Sequence, residues 1–250
     1  MTRTVVISGG GTGIGRAVAQ RFAADGDQIV LIGRRGDVLQ AAAAELATNA
    51  AKVHTVTADL ADVEQAGAAA AEIAAHGPVD VLVAAAGGNV ILGAEPGRTA
   101  GLAGVAWHWT ENFRTNTLTA VLLVEALRPH LADNGRIVLV SSIAAYRGSG
   151  SGSYAASKAA LHPYAYDLAA DLGERGITVN VVAPGYIAGT EFFRGTLSAE
   201  RERTLIAQTH TGRAGTPADV AATVHWLASP EAGHITGQII QINGGAERGR

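Results

Sequence analysis

The chain contains no cysteine, which excludes disulfide bonds, thiol nucleophiles and cysteine-ligated metal sites. Aromatic residues make up only 5% of the 250 residues, and the formal net charge of −3 provides no basic surface for nucleic acid or an acidic membrane. Uncharged stretches, such as residues 81–94, are too short to span a bilayer. No apolar leader precedes the first strand-like run, so we expect a cytoplasmic protein.

Short β-branched runs alternate along the chain with longer alanine-rich segments. This alternation predicts an α/β fold, a doubly wound parallel sheet of about seven strands with helices on both faces. The predicted strands are residues 4–8, 29–33, 53–57, 79–84, 136–140, 177–182 and 238–242. The predicted helices lie near residues 13–25, 37–50, 62–76, 108–132, 153–174 and 217–228. No linker interrupts the pattern, so residues 1–250 are expected to form a single domain.

Three glycines, Gly9, Gly13 and Gly15, lie in the loop after the first predicted strand. The strict G-x-G-x-x-G fingerprint is absent, and a phosphate-loop motif fails because Arg16 follows Gly15 where lysine is needed. Glycine in a strand-to-helix turn still allows the backbone to approach a pyrophosphate, whose charge the helix N-terminus stabilises. The loop therefore favours a dinucleotide site, with a merely tight turn as the alternative.

Two arginines, Arg34 and Arg35, follow the second predicted strand. An acidic residue here would bind a ribose 2′-hydroxyl, whereas arginine suits a 2′-phosphate. The sequence therefore favours NADP(H) over NAD(H) as the cofactor. The alternative is that both are simply exposed arginines at the beginning of a helix.

Tyr154 and Lys158 are four residues apart in an alanine-rich segment, so they share one face of the predicted helix. An ammonium beside a phenol stabilises the phenolate, so we expect the pKa of Tyr154 to fall below its usual value of about 10. The pair would then act as an acid–base group. A core tyrosine and a solvated helix lysine are the alternative.

Two other kinds of site are not supported. The eight histidines show no spacing typical of a metal site, and each is interpreted as a surface or structural residue. A serine-rich run precedes Tyr154, but G-x-S-x-G never falls in register, so a hydrolase nucleophile elbow is not predicted.

From Ser8 to Gly245 the chain resembles short-chain dehydrogenase/reductases, particularly those close to 3-oxoacyl-carrier-protein reductases. In the family's motif T-G-x-x-x-G-x-G, Ser8 replaces the threonine. The family's Asn-Asn-Ala-Gly reads Ala84-Ala-Ala-Gly87, so both asparagines are lost. The resemblance implies a Rossmann-type domain that uses NADP(H) to interconvert a ketone and a secondary alcohol by hydride transfer.

The resemblance also implies the site residues. The catalytic residues would be Asn116, Ser142, Tyr154 and Lys158. Asn116 would hold a water that joins Lys158 to solvent. Ser142 is preferred as the second of two adjacent serines, although the family's usual spacing to the tyrosine lands on Ser141. The cofactor-binding residues would be Gly9, Thr12, Gly13, Ile14, Gly15, Arg34, Arg35, Asp59, Leu60, Ala86, Gly87, Tyr154, Lys158, Pro184, Gly185, Ile187 and Thr190.

Further expectations concern the substrate side and the assembly. Residues 186–211 would form a substrate lid, and residues 88–106 would border the substrate entrance or form a plain surface loop. The partners would be a small carbonyl or alcohol substrate and further copies of the chain in a homotetramer or homodimer, with neither nucleic acid nor membrane. An NAD-dependent alcohol dehydrogenase and a non-catalytic dinucleotide-binding sensor or scaffold are the alternatives.

Overall fold

The computed structural model describes residues 2–47 and 51–248, which contain a sheet of seven parallel strands in the order β3-β2-β1-β4-β5-β6-β7. The strands are β1 (Thr4–Ser8), β2 (Gln28–Gly33), β3 (Val53–Thr57), β4 (Val79–Ala84), β5 (Leu131–Val140), β6 (Thr178–Pro184) and β7 (Ile239–Ile242). All seven predicted strands are present and the predicted fold class is confirmed.

Helices connect the strands and cover both faces of the sheet. They are α1 (Gly13–Ala24), α2 (Gly36–Leu46), α3 (Val63–Ala74), α4 (Gly101–Phe113), α5 (Thr119–Leu127), α6 (Ala144–Arg147), α7 (Gly152–Ala159), α8 (Leu161–Leu172), α9 (Ala199–Ala207) and α10 (Pro217–Leu227). No helix of the described residues is both long and apolar enough to cross a bilayer.

The sheet separates two hydrophobic cores because successive side chains of a strand point to opposite faces. In β1, Val6 packs into one core, whereas Val5 and Ile7 pack into the other. All three are fully buried. Burial on both faces explains why these strands consist of continuous apolar runs.

Two long predicted helices are each divided in the structure. The predicted helix 108–132 is wrong at both ends, because α4 begins at Gly101 and β5 already begins at Leu131. A π-helical turn (Arg114–Leu118) divides the helical region into α4 and α5. Residues 132–135 interrupt the pairing of β5 with β4, and regular pairing resumes at Arg136, where the strand was predicted to begin.

Helix 153–174 is divided into α7 and α8. Pro163 has no N–H to donate to the carbonyl of Ala159, so the ladder of helical hydrogen bonds is interrupted between α7 and α8, although Ala160 keeps helical dihedral angles. Helix 37–50 ends at Leu46, and residues 48–50 lie outside the described part of the chain.

Candidate active site

A cavity of about 1140 Å³ opens at the carboxyl edge of the sheet, between β1 and β4, where the order of the strands reverses. Such a reversal is where open parallel sheets bind ligands. All of the predicted cofactor residues line this cavity. Of the four predicted catalytic residues, Ser142, Tyr154 and Lys158 line it, and Asn116 does not.

The glycine loop is packed tightly against the loop after β4. Gly9 has a φ of +67°, and a Cβ at this position would lie 3.0 Å from the backbone of Ala86. A Cβ on Gly15 would lie 2.3 Å from the carbonyl oxygen of Gly9. Ser8 Oγ accepts a hydrogen bond from Ala86 N at 3.1 Å, so serine retains the hydroxyl at the position where the family has threonine.

The N-terminus of α1 faces the cavity, and no side chain caps it. Thr12, the N-cap residue, makes no side-chain capping hydrogen bond, and the first turn of the helix contains no acidic residue. The unpaired N–H groups and the positive end of the helix dipole are suited to an anion. The glycine loop and this helix start thus provide the features that a dinucleotide pyrophosphate requires.

The loop after β6 closes the other side of the cavity. Gly185 has no room for a side chain, since its Cβ would lie 2.8 Å from Asn243 Cβ. Thr190 Oγ1 donates to the carbonyl of Ile187 at 3.2 Å, and the Thr190 methyl lies 3.5 Å from a Cβ position on Gly13. The predicted residues after β1 and after β6 therefore face each other.

Asp59 pairs with an arginine that the sequence analysis missed. Its carboxylate accepts a hydrogen bond from Arg114 Nη2 at 2.5 Å. Desolvation raises the pKa of Asp59, but the hydrogen bonds from the Ala61 amide and Arg114 outweigh it and hold this pKa below its ordinary value. Arg114 belongs to no motif, and its 55-residue separation from Asp59 leaves no local signal.

Arg34 and Arg35 are exposed at the end of β2 and line the cavity. Arg35 Nη2 forms an ion pair with Glu191 Oε2 at 2.8 Å, and the two side chains are 57% and 62% exposed. The partner comes from the turn after β6, 156 residues away. This pair, which we call the cross-cavity pair, was also missed from the sequence.

Tyr154 and Lys158 are buried on α7, and burial shifts both of their pKa values. Desolvation raises the pKa of Tyr154 to about 12, against a smaller lowering by a hydrogen bond with Ser142. Desolvation lowers the pKa of Lys158 to about 8. The expectation that Lys158 lowers the pKa of Tyr154 is wrong for the protein alone, because burial dominates and Lys158 Nζ donates to Val140 O at 2.8 Å.

The two adjacent serines face different neighbours. Ser141 Oγ donates to the carbonyl of Lys158 at 2.9 Å and lies 2.9 Å from His162 Nε2, inside the protein. Ser142 Oγ accepts from Ala144 N at 3.1 Å, and Ser142 lines the cavity together with Tyr154, whose pKa it lowers. Ser142 is thus the serine beside the phenol in the cavity.

Asn116 lies in the π-helical turn and is completely buried. Its Oδ1 accepts from Gly88 N at 2.9 Å, and its Nδ2 donates to Gly88 O and Asn112 O, both at 2.9 Å, and to Ser157 Oγ at 3.1 Å. The side chain therefore joins α4 to α7 and to the loop after β4. Its role in holding a water stays a prediction.

No group of three or more histidine, aspartate or glutamate side chains in the described residues could hold a metal ion. The chemistry that the cavity offers is therefore that of a neutral buried phenol, an amine with a lowered pKa and a serine hydroxyl. A nicotinamide dinucleotide fits the residues present, since the start of α1 has no side-chain cap and no acidic residue in its first turn, and all of the predicted cofactor residues line the cavity.

Comparisons with known proteins agree with this geometry. The sequence model of the family described as Enoyl-(Acyl carrier protein) reductase matches residues 9–247. The 3-oxoacyl-(acyl-carrier-protein) reductase FabG of Escherichia coli is 32% identical over 250 residues, which cover 97% of this chain and 96% of that protein.

Two solved structures have the same fold. A short-chain dehydrogenase/reductase of the glucose/ribitol dehydrogenase type from Brucella melitensis is 32% identical, with a TM-score of 0.88 over 99% of this chain and 97% of that one. A blue fluorescent protein from a metagenomic library, solved in complex with NADPH, is 32% identical, with a TM-score of 0.85 over 98% of both chains. The chain is therefore an enzyme that belongs to the short-chain dehydrogenase/reductase family of oxidoreductases.

Proposed function

We propose that the protein is an NADP(H)-dependent oxidoreductase that interconverts a ketone and a secondary alcohol, with Tyr154 as the acid–base group. The observation that carries the proposal is that Tyr154, Ser142 and Lys158 line one cavity, with Tyr154 and Lys158 four residues apart on α7. When bound, NADPH supplies the hydride. The remaining work, orientation and proton transfer, falls to side chains of the protein.

Ser142 and Tyr154 both present hydroxyl groups to the substrate oxygen. A carbonyl that accepts hydrogen bonds from both is held in line for attack, and the charge that develops on its oxygen is stabilised. A pKa of about 12 keeps the phenol of Tyr154 protonated at neutral pH, which is the form that can protonate a carbonyl. The protonated Tyr154 phenol therefore supports reduction, because in this direction the phenol does not have to lose its proton before the reaction begins.

Lys158 would assist by binding the ribose hydroxyls and by placing positive charge near the phenol. Its amine donates to Val140 O at the end of β5, which directs the side chain to the edge of the cavity. Arg34 and Arg35 support the choice of NADP(H), because both line the cavity at the end of β2. The NADPH complex of the metagenomic relative supports the same choice.

The proton-transfer role is tested by Tyr154→Phe. We expect the variant to lose about 10²–10⁴-fold in kcat for NADPH-dependent reduction across a panel of ketones, because the ring remains and only the proton donor is removed. Fluorescence titration should show unchanged NADPH binding. Tyr164→Phe is the matched control, since the Tyr164 hydroxyl bonds Glu125 outside the cavity. Near-normal turnover of Tyr154→Phe would refute the proposed mechanism.

The cofactor choice is tested by Arg34→Ala. We expect Kd for NADP to rise about tenfold or more while Kd for NAD changes little, because only NADP carries the 2′-phosphate that a guanidinium binds. Both constants can be measured by calorimetry. Arg21→Ala, which removes an exposed arginine from the end of α1, serves as the control. An equal loss for both cofactors would contradict the assignment.

The proposal extends to organisation and assembly. Residues 1–250 would form a single dinucleotide-binding catalytic domain, with residues 186–211 as the substrate lid. The assembly would be a homotetramer or a homodimer, which exposed apolar side chains of α4 and the π-helical turn support, among them Leu102, Trp109 and Leu118. A cytoplasmic location stays a prediction.

A further inference from the structure

We propose that the substrate carries an anionic group, a carboxylate or a phosphate, in addition to its reacting carbonyl or alcohol, and that three arginines bind this group. The arginines are Arg147, Arg194 and Arg201, which we call the substrate-side arginines. The inference rests on the proposed carbonyl chemistry at Tyr154 and specifies the class of substrate for that site.

The charge of the cavity differs in sign from that of the chain. The chain carries a formal charge of −3, yet among the residues that the structure describes only two acidic ones line the cavity, Asp59 and Glu191. Its seven cationic lining residues are Arg34, Arg35, Arg114, Arg147, Lys158, Arg194 and Arg201. A concave site lined by one sign of charge concentrates ligands of the opposite sign.

Both acidic residues are already paired with arginines of the cofactor side. Asp59 binds Arg114 at 2.5 Å, and Glu191 binds Arg35 at 2.8 Å. In this arrangement neither carboxylate pairs with a substrate-side arginine. Among the described residues, none of those three arginines forms an ion pair.

Arg147 is held in position by neutral acceptors. It ends α6, five residues after Ser142, and its Nη2 donates to Gln208 Oε1 at 2.7 Å. Its Nη1 donates to the carbonyl of Ala246 at 2.9 Å. These bonds fix the guanidinium at the cavity wall without neutralising its charge, so less side-chain freedom is lost when an anion binds.

Arg194 and Arg201 come from the segment after β6, which also supplies the Gln208 acceptor of Arg147. Arg194 follows the turn Glu191–Phe193 with a φ of +49°, and its Cδ lies 2.9 Å from a Cβ position on Gly93. Arg201 lies in the first turn of α9, where the neighbouring Glu202 accepts a hydrogen bond from Tyr186 at 2.6 Å. That bond directs one of the two adjacent acids to Tyr186, and the other, Glu200, is exposed.

An apolar wall adjoins the phenol on the same side of the cavity. The Phe192 ring lies 5.5 Å from the Tyr154 ring, and Phe193 packs edge-on against Phe192 at 5.0 Å. Arg194 follows Phe193 directly. The cavity therefore offers a polar group for the reacting oxygen, an apolar stretch and then positive charge, which fits an oxo or hydroxy acid or a ketone phosphate.

The test compares each anionic ketone with a neutral counterpart. The pairs are levulinate against methyl levulinate and dihydroxyacetone phosphate against dihydroxyacetone, assayed with NADPH in wild type and in Arg194→Gln/Arg201→Gln. The control is Arg203→Gln, which makes the same change at an exposed residue of α9 outside the cavity lining. We expect the anionic member of one pair to have a kcat/KM roughly tenfold higher.

That preference should disappear in the double variant, persist in Arg203→Gln and weaken as salt is added. The preferred pair tells whether the group is a carboxylate or a phosphate. Equal kcat/KM within both pairs, or a preference that survives the double variant, would overturn the inference and leave the proposed reduction intact.

If no ketone is reduced, the proposed function fails, and calorimetric titration of the NADP complex with levulinate and dihydroxyacetone phosphate decides the inference separately. Binding that the double variant loses supports it, and absence of binding overturns it.

Discussion

Burial of the Lys158 amine has a cost to stability. An unfolded chain keeps this amine protonated up to a pKa of 10.5, whereas the folded protein releases the proton near 8. Below pH 8 the charged amine is therefore less favourable in the folded state than in the unfolded chain, and this difference declines as pH rises from 8 to 10.5. The contribution of Lys158 to stability thus becomes less unfavourable with rising pH.

Lys158→Met should therefore stabilise the protein without cofactor while abolishing its activity. At pH 7 we expect the free energy of unfolding in urea to rise by about 3–4 kcal/mol, since the pKa falls from 10.5 to about 8 and each pKa unit corresponds to about 1.4 kcal/mol. At pH 9.5 the gain should fall by about half. Lys52→Met, at an exposed residue, should change stability little at either pH. A gain that does not vary with pH would show that packing, rather than charge burial, causes it.

Other residue-scale features were only partly predictable. Tyr154, Lys158 and the glycines could be identified from their spacing within single segments of the chain. The pairs Asp59–Arg114 and Arg35–Glu191 join residues far apart in sequence, and nothing local marks Arg114 or Glu191 as the partners of the predicted Asp59 and Arg35. The pKa of Tyr154 was predicted in the wrong direction because burial depends on packing that a four-residue spacing does not reveal.

At the scale of elements, the strands were easier to predict than the helices. Buried parallel strands need continuous β-branched runs, which the sequence displays. The break before α8 has a local cause in Pro163, but the alanine-rich composition of this segment favoured the prediction of one continuous helix. The π-helical turn had none, because Asn116 is held there by Gly88 and Ser157, which belong to other elements.

Two glycine substitutions separate steric need from helix propensity. Gly15→Ala should lower the free energy of unfolding by about 1–3 kcal/mol, because its Cβ would meet the carbonyl of Gly9 in the first turn of α1. NADPH binding should weaken as the loop shifts. Gly67→Ala changes a glycine of α3 with open space around it and should raise that free energy by about 0.5–1 kcal/mol.

Urea unfolding and NADPH fluorescence titration measure both variants. If Gly15→Ala keeps the stability and the cofactor affinity of the wild type, the first turn of α1 can accept a methyl group, and the Gly9 carbonyl does not exclude one.

At the scale of the whole molecule, the proposed assembly has a direct test. Leu118 is 40% exposed and adjoins an apolar depression formed with Phe113 and Val121. If copies of the chain associate through this surface, Leu118→Asp should lower the mass measured by light scattering, because a carboxylate would be desolvated at the contact. Val63→Asp, at a 71% exposed residue of α3, should leave the mass unchanged. A wild-type monomer at micromolar concentration would contradict the assembly.

The cross-cavity pair links the two ends of the molecule's cavity. Arg35 belongs to the β2 end, and Glu191 begins the segment that leads to α9. A guanidinium engaged by a ribose phosphate is less available to a carboxylate, so a phosphorylated dinucleotide and Glu191 compete for Arg35. Binding of NADP(H) would therefore weaken the contact between Arg35 and the segment that begins at Glu191, whereas binding of NAD(H) would leave that contact in place. The identity of the cofactor would then affect the rates at which the substrate enters and leaves the cavity, as well as the affinity for the cofactor itself.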